Sequence, residues 1–261
     1  MSTEPQIWCH RDRCHSFDKV NDQHVYCTPC NCRRKAENTR KRLTSPIEDD
    51  EQLWALQENR KLGRADSAVQ KNEWILNNKK IVMFDLETFD LAADFGLIMV
   101  GCIKERGGET LTFQAHGDRD EREVVVAIRD ALEDADYVVT YYGTKFDIPY
   151  LNTRLLLNGE RPLHQIQHVD VYYTARFKLK LNRNRLQNLE EAFFGDEEGE
   201  GLKTRIKPGI WRRALQGSQD DLDYIIEHCQ NDVILLEKVF DKLKGFINLG
   251  ATRLRRYGAS Y

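Results

Sequence analysis

The chain has 261 residues, of which 41% are hydrophobic and 31% charged, enough for one catalytic domain plus a smaller module and too long for a single small scaffold. Its longest apolar stretch, Phe95 to Ile103, falls well short of the roughly 20 residues that cross a bilayer, so a soluble protein without a membrane partner is expected. The formal charge of −3 is unevenly spread: residues 1–45 hold nine Lys/Arg against five Asp/Glu, and because the whole chain holds 39 against 42, the remainder is seven charges negative. A basic head on an acidic body suits a nucleic-acid-contacting arm on a domain that gathers cations. No basic segment followed by an apolar stretch opens the sequence, so no secretory signal is visible and an intracellular, cytoplasmic protein with reduced thiols is expected.

Five of the seven cysteines, Cys9, Cys14, Cys27, Cys30 and Cys32, fall in the first 32 residues. In a reducing compartment such clustering points to metal, and the Cys27-Thr-Pro-Cys30 knuckle has the spacing that turns two thiolates toward one tetrahedral zinc. With Cys9 and Cys14 it completes the simplest four-sulfur set for one structural Zn²⁺, while His10, His15, His24 and Cys32 also lie within reach. Arg33-Arg34-Lys35 and Arg40-Lys41-Arg42 follow, on a short helix suited to phosphate contact. Glu48 to Gly63 reads as a further helix, with acids in its first turn and cations in its last. The division expected is a zinc-binding basic module over 1–45, a helical linker over 46–78, a catalytic domain over 79–249 and a tail over 250–261.

From Lys80 the pattern becomes alternating strands and helices. Ile81 to Phe84 is a buried strand; Leu97 to Lys104 and Thr110 to Ala115, parted by Gly107-Gly108, form a hairpin or meander. Glu121 to Glu133 is a helix with Val124, Val125, Ile128 and Leu132 on one face. Tyr137 to Tyr141 is another strand, followed by a helix from about Pro149 to Leu157. Two later helices cover Arg185 to Phe194 and Leu222 to Lys244. The implied class is α/β, a mixed sheet with helices on its faces.

Chemistry enters at Asp85-Leu86-Glu87-Thr88, at the end of the first of these strands, where the two-residue period puts both carboxylates on one side, able to face one cation. A second signal is Tyr141-Tyr142-Gly143-Thr144-Lys145-Phe146-Asp147-Ile148-Pro149-Tyr150-Leu151, a strand, a glycine turn and an acid at a helix start, where Asp147 is either a plain N-cap or part of a site. The third is Glu227-His228-Cys229-Gln230-Asn231-Asp232-Val233: His228 and Asp232, four apart, stack on one helix face, and Cys229 falls on the apolar stripe, where packing is its expected role.

Together these motifs resemble those of the DEDD superfamily of 3′→5′ exonucleases on the ribonuclease H-like fold, over about Lys80 to Phe246. Phe84 to Thr88 resembles the first exonuclease motif, Phe146 to Leu151 the second as found in proofreading domains of B-family DNA polymerases, and His228 to Asp232 the third. Stand-alone ribonuclease H-like nucleases of phage, bacterial and archaeal genomes are similar in the Tyr-Gly of the second motif, in a segment like Lys203-Thr204…Trp211 and in the His-Cys…Asp-Val of the third. Tyr142 stands where the polymerase pattern carries Asn, and His228 at a Tyr position. The resemblance implies two Mg²⁺ or Mn²⁺ ions roughly 4 Å apart clamping the attacking and leaving oxygens of a phosphodiester, with hard carboxylates as ligands. It implies that Asp85 bridges both ions, that Glu87 and Asp232 complete the water-activating site, that Asp147 serves the second ion, and that His228 orients or deprotonates the water. The partner is then a DNA or RNA strand with a 3′ end; a non-cleaving nucleic-acid adaptor and a structure-specific endonuclease are the alternatives.

Three further groups stay open on sequence. Asp170 is either a fifth acid or a structural hydrogen-bonding group. Tyr172, Tyr173 and Phe177 either stack bases or fill core. Arg183, Arg185, Lys203, Arg205, Lys207, Arg212 and Arg213, around Gly195 to Gly201, either hold a phosphate backbone or line a solvated loop.

Overall fold

A computed structural model describes residues 7–8, 16–17, 67–115, 121–195, 206–251 and 254–256. The chain divides into two compact units, Met1–Asp66 and Ser67–Tyr261. In the first, β1 (Ile7–Trp8) and β2 (Ser16–Phe17) form an antiparallel ladder pairing Ile7 with Phe17. The candidate zinc ligands Cys9, Cys14, Cys27 and Cys30, the two basic runs and the helix expected over 48–63 lie outside the described residues.

The second unit is built on β3 (Ile81–Thr88), whose first four residues are buried on both faces, the mark of a central strand. Its neighbours are β4 (Ile98–Glu105), antiparallel, and β6 (Tyr137–Thr140), parallel. The hairpin partner β5 (Thr110–Gln114) lies beyond β4, and β7 (Gln165–Asp170) beyond β6, giving the order β5-β4-β3-β6-β7-β8. The last strand, β8 (Leu254–Arg256), pairs antiparallel with β7, so part of the segment expected as a tail is an edge strand.

Helix α1, residues 67–78, sits with this unit rather than in a separate linker: Ile75 is buried in its core, and the Asn72 side chain donates to the Ile247 carbonyl at 2.5 Å. Helices α2 (Glu121–Glu133) and α3 (Asp147–Leu157) cover one face of the sheet. They enclose Val82, Phe84 and Leu86 with Val125, Ile128, Leu132, Ile148 and Leu151. Helix α7 (Gln219–Leu243) covers the other face, packing Ile225, Cys229, Val233, Leu236 and Phe240 over Ile81, Met83 and Cys102.

Three helices connect these layers: α4 (Val171–Lys178), α5 (Leu186–Phe194) and α6 (Pro208–Leu215). The sequence pattern marked α5 but neither α4 nor α6. It also started α3 two residues late, at Pro149, because proline reads as a boundary. In the first turn its missing N–H has no intrahelical partner to lose, so the helix begins at Asp147.

Candidate metal centre

The alternation of β3 decides what its last residues face. Even positions Val82, Phe84 and Leu86 point to the α2/α3 core, and odd positions Ile81 and Met83 point to α7. Asp85 and Glu87 continue the odd series, so both carboxylates meet α7, as their spacing predicted. The strand also outruns its parallel neighbour: pairing with β6 stops at Met83 opposite Val139. The end of β3 therefore stands free on that edge, where strands β6 and β7 turn away at their carboxyl ends. Open α/β sheets bind ligands in such a gap.

Asp147 fills part of the gap. Its Oδ1 accepts the Leu86 backbone N–H at 3.1 Å, replacing the ladder bond that β6 no longer supplies, and only 3% of the residue is exposed. It is the first residue of α3, and the cap position before it is Phe146 without a side-chain cap. Asp147 thus ties the start of α3 to β3 across the molecule, a long-range bond that a plain N-cap does not make.

The turn that delivers Asp147 is held by a different acid. Asp170, at the end of β7, accepts the Tyr142 N–H at 2.8 Å and the Tyr172 N–H at 3.2 Å through Oδ1, and the Thr144 N–H at 3.0 Å through Oδ2. Of the two readings of Asp170, structural hydrogen bonding is the one the geometry shows. Within the same turn Tyr142 adopts left-handed backbone, φ 70°. A Cβ on Gly143 would lie 2.5 Å from the Thr140 Cβ, so only glycine passes there.

Helix α7 brings the third motif. His228, Cys229 and Asp232 are all buried. His228 Nε2 lies 3.4 Å from Glu87 Oε1 and 3.9 Å from Asp232 Oδ2. Ligand atoms of Glu87, His228 and Asp232 fall within 4.8 Å of one another, and among the described residues these three are the one such group of metal-ligating side chains. Asp85 stands beside them, its carboxylate Oδ2 3.9 Å and its carbonyl 3.6 Å from the Cys229 sulfur. Burial pushes the Cys229 thiol well above its usual range, so it stays a neutral packing group next to the acids rather than a thiolate ligand, in keeping with its place on the apolar stripe.

Beyond Asp85 opens a cleft of ≈ 360 Å³ lined by Asp85, Tyr141, Tyr142, Tyr172, Asn184, Arg185 and Leu186. Tyr141 donates its hydroxyl to the Asn184 carbonyl at 2.8 Å, and burial raises its phenol above the usual value. It is a wall of the cleft, not a proton carrier. On the far side of the acids the β3–β4 connection is fixed by a buried ion pair. Arg154 grips both oxygens of Glu121, at 2.7 and 2.5 Å, and donates to the Ala93 carbonyl, while Glu121 also accepts the Ile98 N–H.

The structure thus brings Glu87, His228 and Asp232 into one cluster, sets Asp85 between that cluster and the cleft, and places Asp147 behind Leu86. The carboxylates of Glu87 and Asp232, with that of Asp85 beside them, match a hard divalent cation such as Mg²⁺ or Mn²⁺, to which oxygen donors are suited. Sequence reading missed the Glu121–Arg154 clamp and the part played by Asn184, since neither carries a local signal. It named Tyr142, Tyr172 and Arg185 separately without joining them into one cleft. Trp211 lies on α6, half-buried against the α7 core, whereas Lys203, Thr204 and Arg205 lie outside the described residues.

The sequence profile of the RNase_H superfamily (RNase_H_2) matches residues 82–244. A DNA polymerase of Methanocaldococcus jannaschii is 24% identical over 159 residues, 49% of this chain, and the chain spans only 10% of that relative's length. Among solved structures, the family B DNA polymerase of the hyperthermophilic archaeon Pyrobaculum calidifontis shares the fold with a TM-score of 0.53 and 20% identity, over 63% of this chain and 24% of that one. No described helix is long and apolar enough to cross a membrane.

Proposed function

The chain belongs to the RNase H superfamily, and on that premise we propose that it is a metal-dependent nuclease that removes nucleotides from the 3′ end of a DNA or RNA strand. The observation that carries the reading is the convergence of Glu87, His228 and Asp232 within 4.8 Å of one another, at the end of the β3 face that also presents Asp85. Divalent cations held there would neutralise the phosphodiester and lower the pKa of water. Asp85, Glu87 and Asp232 would be their principal ligands, with Asp147 serving the second ion.

The chain's own groups account for the remaining steps. Asp85, at the mouth of the cleft, fixes where the scissile phosphate sits relative to the terminal nucleotide. His228, 3.4 Å from Glu87, orients the attacking water and accepts its proton, a role an imidazole can fill at neutral pH where a phenol cannot. Asp170 acts indirectly, by holding the turn from Tyr142 to Thr144 and with it Asp147. Under the same reading Cys9, Cys14, Cys27 and Cys30 hold one structural Zn²⁺ on the strength of their spacing, and metal analysis of protein purified without chelator should find about one zinc per chain.

Digestion of matched 5′- and 3′-labelled single strands with Mg²⁺ or Mn²⁺ tests the activity. The 5′-labelled strand should shorten in a ladder while the 3′ label is released at once as a mononucleotide. Early fragments of internal length would make the enzyme an endonuclease. Intact strands with either metal would leave only a nucleic-acid adaptor.

A further inference from the structure

The cleft beside Asp85 continues outward as a run of aromatic rings. Tyr142 and Tyr172 line it, their centroids 4.8 Å apart with planes at 74°. Tyr173 follows at 6.5 Å from Tyr142, tilted by 33°. Phe177, one helical turn further along α4, stacks on Tyr173 at 6.2 Å and 19°. Aromatic density of this kind ordinarily fills a core, yet Tyr142 is 44% exposed and Phe177 74% exposed.

Packing also fails to explain the backbone. Tyr142 is the sole non-glycine residue with positive φ among the described residues, at 70°, and Asp170 binds the N–H groups of residues 142 and 144 to keep it so. A bulky side chain in left-handed backbone is strained. Here the strain turns the ring to the cleft mouth, half in solvent, where it contributes little to stability.

Charge supports the same conclusion. From Val171 to Leu189 the sequence carries Arg176, Lys178, Lys180, Arg183 and Arg185 and no Asp or Glu, although the acidic body around it is net negative. All five cations are exposed, and Arg185 reaches the cleft itself. Exposed rings interleaved with unopposed cations are what an unpaired polynucleotide requires: its bases offer π-faces and its phosphates a line of negative charge. A duplex has already used its base faces in its own stacking.

We propose that Tyr142, Tyr173 and Phe177 form a stacking platform for the unpaired bases of a single-stranded nucleic acid, with the cations from Arg176 to Arg185 tracking its phosphates into the cleft at Asp85. The platform deepens the nuclease reading by making a single strand, rather than a duplex, the form in which substrate arrives. It rests on that reading for the direction of the strand, but binding to it needs no hydrolysis.

Fluorescence anisotropy with the full chain carrying Asp85→Asn tests the platform without turnover. The probes are a short labelled single strand, the same strand made abasic toward its 3′ end, and a blunt duplex. Adding Phe177→Ala or Tyr173→Ala should weaken binding of the intact strand about 5- to 150-fold, the scale of one lost base–ring stack. Phe177→Trp should restore it, and the abasic strand should bind the parent and the alanine variants alike. Leu157→Ala, which removes a side chain 58% exposed on α3, should change nothing. The proposal is overturned if Phe177→Ala and Tyr173→Ala bind the intact strand as tightly as the parent, if they lose intact and abasic strands equally, or if the duplex binds as well as the single strand. Wild-type digestion separates the two claims: ring-dependent binding without hydrolysis removes the nuclease reading and keeps the platform, and hydrolysis with ring-independent binding does the reverse.

Discussion

The two faces of β3 are made from alternate residues of one strand and serve different ends. On the α2/α3 side Val82, Phe84 and Leu86 are apolar and buried, and the series stays apolar as far as Leu86. On the α7 side the series Ile81, Met83, Asp85, Glu87 turns from apolar to acidic halfway along. The first face gains its stability from burial. The second brings the carboxylates of Asp85 and Glu87 together with the buried His228 and Asp232, a concentration of acids whose mutual repulsion bound cations would relieve. Stability and chemistry are thus separated by a single residue step, and substitutions at adjacent positions should separate them too.

The largest contrast is expected between Asp85→Asn and Phe84→Ala. The amide keeps the shape of Asp85 but loses the charge that would hold metal, so cleavage should vanish with the melting temperature almost unchanged. Phe84→Ala empties a fully buried site and should cost about 3–5 kcal/mol of stability, with cleavage per folded molecule retained. Parallel denaturation and rate measurements check the pair, and an inactive but equally stable Phe84→Ala would break the division. Next in size, His228→Ala should slow cleavage about 10²- to 10⁴-fold, the usual range for general acid–base help. A wild-type rate from this variant would mean that the cations alone prepare the water.

The smallest effect belongs to the α2/α3 side. Arg161 grips both Glu133 oxygens, at 2.8 and 2.6 Å, and this holds the Glu133 carboxyl below its ordinary value of 4.5. A depressed folded pKa contributes stability that is present above the unfolded value and lost as pH falls through the folded one. Glu133→Gln should therefore lower the melting temperature at neutral pH and lose that difference as the pH drops below 4.5. With Arg161 half exposed, the effect should be about 0.2–1 kcal/mol. Cleavage should not respond.

What the sequence disclosed follows from how local each signal is. Helix α2 was legible to the residue, Glu121 to Glu133, because its apolar positions repeat at the helical period and polar residues bound it. The same period found most of α7, and the two-residue period of β3 placed Asp85 and Glu87 together. Helix α4 was hidden because it starts at Val171 with no loop after β7: Asp170 is at once strand end and helix cap. Strand β8 is too short to show alternation, and it exists through pairing with β7. The role of Asp147 depends on an N–H 61 residues away, and that of Asp170 on a turn 26 to 28 residues before it. Such long-range bonds leave no local pattern. The exposure of Phe177 was equally unreadable, because a dense aromatic run looks the same whether it is buried or bare.

The central claim is that the acids ending β3 and the acid on α7 form one cation site, and Mn²⁺ binding followed by electron paramagnetic resonance tests it most directly. The wild-type chain should take up about two ions in a saturable process, and Glu87→Gln and Asp232→Asn should each weaken that uptake while the fold, monitored by circular dichroism, is unchanged. Mn²⁺ uptake identical in the wild type and both variants would contradict the account.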